Sequence, residues 1–395
     1  MNRLLIFFAA AASATAFFAL VWIFIPAPAP YVWLLAVAAG EWSLWLGLLA
    51  LFGIVSTLSA KKIYPESKLQ LLPLILGGTA LIFSFYPFFS VLSLAREQNV
   101  SLSLTRYFRG LSSKTASSPN KFAARAFFEA DGFFLQMDVY SPTAQSANNG
   151  ASVIVVHGGS WNGGARNDFP QWNEWLAAEG FTVFDIDYRL APQPNYLTAT
   201  GDVKCAVRWV KEHATEFNIA SDRIAVLGRS AGAHLALLAA YSANDARLPS
   251  SCSDGEQSEP VRAVVSLYAP TDMIWDYDNP ANQMVIDGPQ TLANFLGGSP
   301  RDSEEIRERY LLASPVDHVS ADTPPTLLIH GGQDQLVRPQ NMTLLAARLK
   351  EANAAYKTIC IPYAQHGFDY NFNGWGAQIS KPAILNFLQE NTRLK

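Results

Sequence analysis

The sequence predicts an α/β domain, built on a mostly parallel sheet with helices on both faces and preceded by an amino-terminal bundle of about three transmembrane helices. Three observations in the 395 residues lead there. Beyond residue 120, short runs that are apolar throughout alternate with helix-length segments, which is how strands buried on both faces read. The residues suited to chemistry fall just after those runs, where sites of open α/β sheets gather. The first hundred residues hold most of the excess apolar side chains, with only two polar breaks.

Three apolar runs open the chain, at residues 4–25, 31–58 and 69–94, each near the ~20 residues needed to cross a hydrocarbon core. PAPAP (26–30) and AKKIYPESK (60–68) separate them. A cleaved signal peptide is the rival reading of the first run, with Arg3 ahead of it; the two further runs favour retained helices, and residues 1–97 are taken as a multi-pass membrane region. Glu41 is the one costly residue in the second run, expected to be protonated or bonded to a neighbouring helix. Arg3, Lys61, Lys62 and Lys68 share one side of three helices, against Arg96, Arg106 and Arg109 beyond the third. That balance favours a cytoplasmic amino terminus and a globular domain on the non-cytoplasmic side.

Half of the residues are hydrophobic, 16% are charged and the net charge is −4. No long Lys/Arg run supplies the basic footprint of nucleic-acid binding. Cys205, Cys252 and Cys360 lack metal-ligand spacing; they suit either one disulfide with a thiol left over or three buried thiols. No metal or organic cofactor is expected.

Residues 98–120, polar and Ser-rich, read as a linker to a domain over 121–395. ARAFFEADGFFLQMDVY, apolar on both sides of Asp131-Gly132, predicts a hairpin. The runs SVIVVHG, FTVFDIDY, RIAVLG, VRAVVSLYA, PTLLIHGG and YKTICIPY predict strands. Helices are expected at 202–217, 231–243, 339–352 and 377–390. Residues 271–320 exceed a normal connection and are read as a lid-like insertion, whose Trp275 and Tyr277, with Trp161 ahead of it, are candidates to line a substrate pocket.

Gly228-Arg229-Ser230-Ala231-Gly232 has the form G-x-S-x-G between a strand-like and a helix-like run, the context that exposes a strained serine at a sheet's carboxyl edge. A helix cap would explain the hydroxyl but not both glycines. Serine needs a base and the base an orienting carboxylate. Asp334 follows one strand and His366 the next, in the order this arrangement takes. Asp272 and Asp369 also follow strands, but Asp334 directly precedes the histidine strand. His234 is expected to be a packed helix residue, His330 to support the Asp334 loop, and His157 to brace its own. VIVVHGGSWNGG offers amides to an oxyanion: Gly158 and Gly159 let the backbone approach, and the N–H groups of Gly159, Ser160 and Ala231 would form the pocket. A phosphate loop is the rival there, without the G-K-[ST] ending or G-x-G-x-x-G.

HGGSW (157–161), DYRLAP (187–192), GRSAGAH (228–234), GGQD (331–334) and HGF (366–368) together resemble the α/β-hydrolase superfamily, on the side of the hormone-sensitive-lipase-like esterases, over roughly residues 124–390. The resemblance implies an α/β-hydrolase fold with Ser230 as nucleophile, His366 as general base, Asp334 as its partner, and Gly158, Gly159 and Ala231 in the oxyanion region. The loop is H-G-G-S-W where the lipase branch usually has H-G-G-G. That form is also similar to arylformamidases, feruloyl-type esterases and isoprenylcysteine methylesterases. The expectation is a membrane-anchored serine carboxylesterase or lipase acting through an acyl-enzyme on a small-molecule ester, with lipid-like esters among the candidates. An amide or peptide hydrolase is the first alternative and an inactive binding module the second.

Overall fold

The computed structural model describes residues 2–63, 70–109, 120–121, 124–130, 132–142, 148–252 and 260–393. Lys68, Asp131 and most of the expected linker (110–119) lie outside the described residues.

The amino-terminal region contains α1 (Asn2–Val21), α2 (Pro30–Glu41), α3 (Ser43–Ile63) and α4 (Leu71–Ser90), followed by the short α5 (Leu92–Glu97) and α6 (Leu104–Arg109). Helices α1, α3 and α4 pack together through small residues. A Cβ on Gly53 would lie 2.3 Å from Ser13 Oγ, and one on Gly47 2.4 Å from Ser84 Oγ, the close approach that small residues permit between apolar helices. Their outer faces carry exposed Phe7, Phe18, Phe52 and Ile82. Ser43–Ala60 and Leu71–Glu97 are long and apolar enough to cross a membrane, while the apolar stretch of α1, Ile6–Val21, is shorter.

The second apolar run, 31–58, is not one helix. It breaks at Trp42 (φ −114°, ψ 27°) into α2 and α3. Groups outside α2 and α3 take the bonds that would carry the helix through: Glu41 O accepts from Asn371 Nδ2 of the α/β domain at 3.0 Å, and the Leu44 N–H donates to Tyr107 Oη of α6 at 3.2 Å. For Glu41 the partner expected on a neighbouring helix lies in the α/β domain instead, where its side chain accepts from Tyr363 Oη at 2.7 Å.

Among the described residues, nine strands form one sheet: β1 (Asn120–Lys121), β2 (Arg125–Ala130), β3 (Phe133–Ser141), β4 (Ser152–Val156), β5 (Thr182–Ile186), β6 (Ile224–Arg229), β7 (Ala263–Leu267), β8 (Thr326–Gly331) and β9 (Tyr356–Ile361). The order is β1-β3-β5-β4-β6-β7-β8-β9, with β2 paired to β3. The strands from β5 to β9 are parallel, and β2–β3 is the expected hairpin. Alternation divides each strand between two cores: Ile154, Val156 and Val226 face one, while Val153, Val155, Ala225 and Leu227 face the other. Helices α7 (Pro170–Ala178), α8 (Tyr196–Glu212) and α9 (Ala231–Tyr241) follow β4, β5 and β6. The insertion is helical, with α10 (Met273–Asp278), α11 (Gly288–Leu296) and α12 (Glu304–Leu312); α13 (Gln340–Glu351) and α14 (Trp375–Thr392) complete the chain. Val203, Leu235 and Leu345 bring α8, α9 and α13 to the first core, and Leu176 and Ile384 bring α7 and α14 to the second.

Side-chain oxygens of Asp272, Asp287 and Ser303 cap the three insertion helices, accepting from the N–H groups of Trp275, Gln290 and Ile306, which is why this long connection holds helices. Cys205 is bonded to Cys252 as a disulfide and Cys360 is an exposed thiol, so the three-buried-thiol alternative is set aside.

Candidate active site

Parallel pairing brings the carboxyl ends of β4, β6, β8 and β9 to one edge, and each delivers one part of the site. Ser230 occupies the single residue between β6 and α9, with φ 54° and ψ −124°, a conformation a non-glycine residue holds only where its surroundings enforce it. Its N–H donates to Leu267 O at 2.9 Å and its carbonyl accepts from the His234 N–H at 3.0 Å. Both flanking glycines are forced by close approach: a Cβ on Gly228 would lie 2.3 Å from Gly232 O, and one on Gly232 2.1 Å from His157 O.

His366, after β9, places Nε2 2.8 Å from Ser230 Oγ and Nδ1 2.7 Å from Asp334 Oδ2. Asp334, after β8, is buried; its Oδ1 accepts from the N–H groups of Leu336 and Val337 at 2.8 and 3.0 Å. Burial opposes its charge, but the adjoining His366 ring and the hydrogen bonds from His330 and His366 outweigh that and hold the carboxyl well below the usual carboxylate range. His330 supports this loop through a 3.0 Å contact of Nε2 with Val337 O.

Gly158 lies against Ser230, where an added Cβ would come 3.2 Å from the serine Cβ. Gly159, at φ 117°, has no room for a Cβ, which would sit 2.2 Å from Gly163 O. Ser160 and Trp161 then take φ 53° and 59°, so three successive residues turn the backbone toward Ser230. Among the described residues, no protein group accepts from the amides of Gly159, Ser160 or Ala231. Preorganised amides of this kind suit a developing oxyanion. His157 stacks on Tyr188 at 4.3 Å and contacts Gly158 O through Nδ1.

The structure thus brings Ser230, Asp334, His366, Gly158, Gly159, Ser160 and Ala231 together. Trp161 lies beneath, stacked on Phe295 at 4.3 Å and donating Nε1–H to His234 Nδ1 at 3.1 Å. Burial pushes His234 down to about 4, so it is a neutral packing residue whose Nε2 meets Ala313 O at 2.7 Å. Among the described residues, two clefts open on Ser230. The first runs under the insertion, bounded by Trp161, Asp276, Ile286, Leu292 and Val337. The second runs between Phe169, Tyr268, His366 and Tyr370, with Trp33 of α2 as a further wall. Trp275 and Tyr277 line neither cleft; Tyr277 packs edge-on to Tyr310, and Asp276 between them is the residue that reaches the first cleft.

A buried network behind the histidine loop was not read from the sequence. Asp369 accepts from Arg229 Nε and from Tyr268 Oη, each at 2.6 Å, and its carbonyl accepts from Trp172 Nε1 at 2.9 Å. Tyr268 packs 4.4 Å from the His366 ring. The signal available was Arg229 itself, a charged residue inside an otherwise apolar strand end.

Sheet topology and this elbow together define an α/β-hydrolase of the hormone-sensitive-lipase-like type. The chain belongs to the BD-FAE family, which it matches over residues 137–349. It is similar to the probable carboxylic ester hydrolase LipM of Mycobacterium tuberculosis, 33% identical over 219 residues, 55% of this chain and 49% of the relative. Esterase LipC of the same organism is 30% identical over 237 residues, 59% and 57% of the two chains. Ethyl acetate hydrolase of Pseudomonas putida is 30% identical over 264 residues, 64% and 77%. The chain therefore spans only about half the length of the mycobacterial relatives. Among solved structures it resembles the thermophilic esterase Est2 of Thermogutta terrifontis, with TM-score 0.55 and 25% identity over 68% of this chain and 91% of that one.

Proposed function

We propose that the protein is a membrane-anchored serine carboxylic ester hydrolase. The observation that carries this reading is the hydrogen-bonded series Ser230 Oγ, His366, Asp334, beside amides that have no acceptor among the described residues. His366 Nε2 takes the hydroxyl proton as Ser230 Oγ bonds to the ester carbonyl carbon, and Asp334 stabilises the imidazolium. The oxyanion is met by the amides of Gly159, Ser160 and Ala231. Collapse expels the alcohol, which takes the proton from His366, and leaves an acyl-Ser230 ester. Water then attacks that ester with His366 again as base, releasing the acid and restoring the hydroxyl. The names of the relatives support an ester over an amide.

Helices α1, α3 and α4 form the anchor in this reading, supported by their apolar outer faces and two spans of sufficient length. The Cys205–Cys252 disulfide supports a hydrolase domain on the non-cytoplasmic side; alkylation of exposed Cys360 by an impermeant reagent in intact cells tests that, and protection until lysis overturns it. The activity test is p-nitrophenyl ester hydrolysis by the full chain beside Ser230→Ala. Equal rates overturn the assignment, and rapid cleavage of aryl formamides with negligible ester turnover transfers it to amides.

A further inference from the structure

Helix α2 is stapled at both ends to the loops that carry Asp334 and His366. Ahead of α2, the Ala27 N–H donates to Gln335 Oε1 at 2.7 Å, and Ala27 O accepts from Asn282 Nδ2 at 2.7 Å. Asn282 Nδ2 also donates to Gln335 Oε1 at 2.8 Å, closing the clasp beside Asp334. At the other end, Glu41 is held by Tyr363 and Asn371, which flank His366 in sequence. Between the staples, Trp33 walls the second cleft together with Ser230, His366 and Tyr370. A simple anchor would not require such contacts with the loops that position the reacting groups.

The 12 residues of α2 extend about 18 Å, too short to cross a hydrocarbon core of about 30 Å. It therefore sits where the apolar bundle meets the hydrolase domain. Among the described residues, 18 of the 24 exposed large hydrophobic side chains belong to residues 7–89, including Tyr31 and Leu34 on α2 itself, and Tyr370 at the cleft is a further one. The second cleft thus opens beside the surface that would face lipid.

We propose that the amino-terminal region is part of the substrate site: α2 forms the bilayer-side wall of the cleft, and the substrate is an ester of a long-chain, membrane-resident amphiphile that reaches Ser230 along Trp33 without passing through water. This rests on Ser230 being the nucleophile. A chain that stays in contact with lipid or with the cleft avoids exposing its methylenes to water, which a cleft facing bulk solvent would demand.

The test uses the full chain in proteoliposomes with 4-methylumbelliferyl palmitate, placed either in the same bilayer or in separate enzyme-free vesicles at equal total ester. Hydrolysis at least tenfold faster from the shared bilayer is expected. Trp33→Ala should lower the palmitate-to-acetate rate ratio at least fivefold, and Trp33→Phe should restore most of it. Turnover of water-soluble 4-methylumbelliferyl acetate with no advantage for the shared bilayer overturns this inference alone; no turnover of either ester overturns the hydrolase reading with it.

Discussion

Asp369→Ala probes whether the network behind His366 sets the geometry of the site. The carboxylate is fully buried, Arg229 is 2% exposed, and the two meet at 2.6 Å. The guanidinium also lies 4.1 Å above Phe169 and 5.3 Å from Trp172, with Asp185 as a second nearby carboxyl whose own burial favours its neutral form. Removing the carboxylate strands a buried cation, which costs about 3–5 kcal/mol, whereas replacing both partners by apolar groups can be nearly neutral. Asp369→Ala should therefore lose about 4 kcal/mol, while Arg229→Met/Asp369→Leu recovers most of it. Urea unfolding of the detergent-solubilised chain, followed by tryptophan fluorescence, gives these values. Tyr268 loses its acceptor at the same time, so ester turnover at 10 °C, where the single variant remains folded, should fall at least tenfold. A loss below about 1 kcal/mol, or losses of the two positions that simply add, would refute the reasoning.

Asp334→Asn removes the acceptor that orients the imidazole and should lower ester kcat by about 10³–10⁴-fold with little change in KM, measured by steady-state kinetics; a loss under tenfold counts against Asp334. Gly159→Ala places a Cβ 2.2 Å from Gly163 O at φ 117°, so the amide pocket is displaced and kcat should fall about 10²–10³-fold while fluorophosphonate-reactive protein is still recovered. Burial pushes Asp185 up to about 7, against the hydrogen bonds from Asn167 and Asn173. Its native state holds the proton more tightly than the unfolded chain, so its contribution is fully present below about pH 4 and is lost as pH rises through 7. Melting temperature should fall between pH 5 and 8, less steeply in Asp185→Asn; parallel slopes would exclude this cause.

The positions of Ser230, Asp334 and His366 were legible because each follows an apolar run, and parallel pairing sends all such ends to one edge. The caps at Asp272, Asp287 and Ser303 were equally open to view, although the insertion was expected only as a lid or loop. Partners distant in sequence were hidden. Nothing within 31–58 announces that Glu41 will bond to Tyr363, 322 residues later, so the hydropathy pattern alone carried one helix through Trp42. Trp33 is in the same position: an apolar residue of an apolar run, placed at the cleft only by staples at Ala27 and Glu41. The aromatic pair Trp275 and Tyr277 attracted attention by size, whereas helix α10 turns Asp276 to the cleft instead.

Reaction of the full chain with a fluorophosphonate, followed by peptide mass spectrometry, tests the nucleophile most directly. Stoichiometric adduct on Ser230 is predicted, slowed at least a hundredfold by His366→Ala. A folded protein that leaves Ser230 unmodified, or that reacts equally fast without the imidazole, would contradict the account.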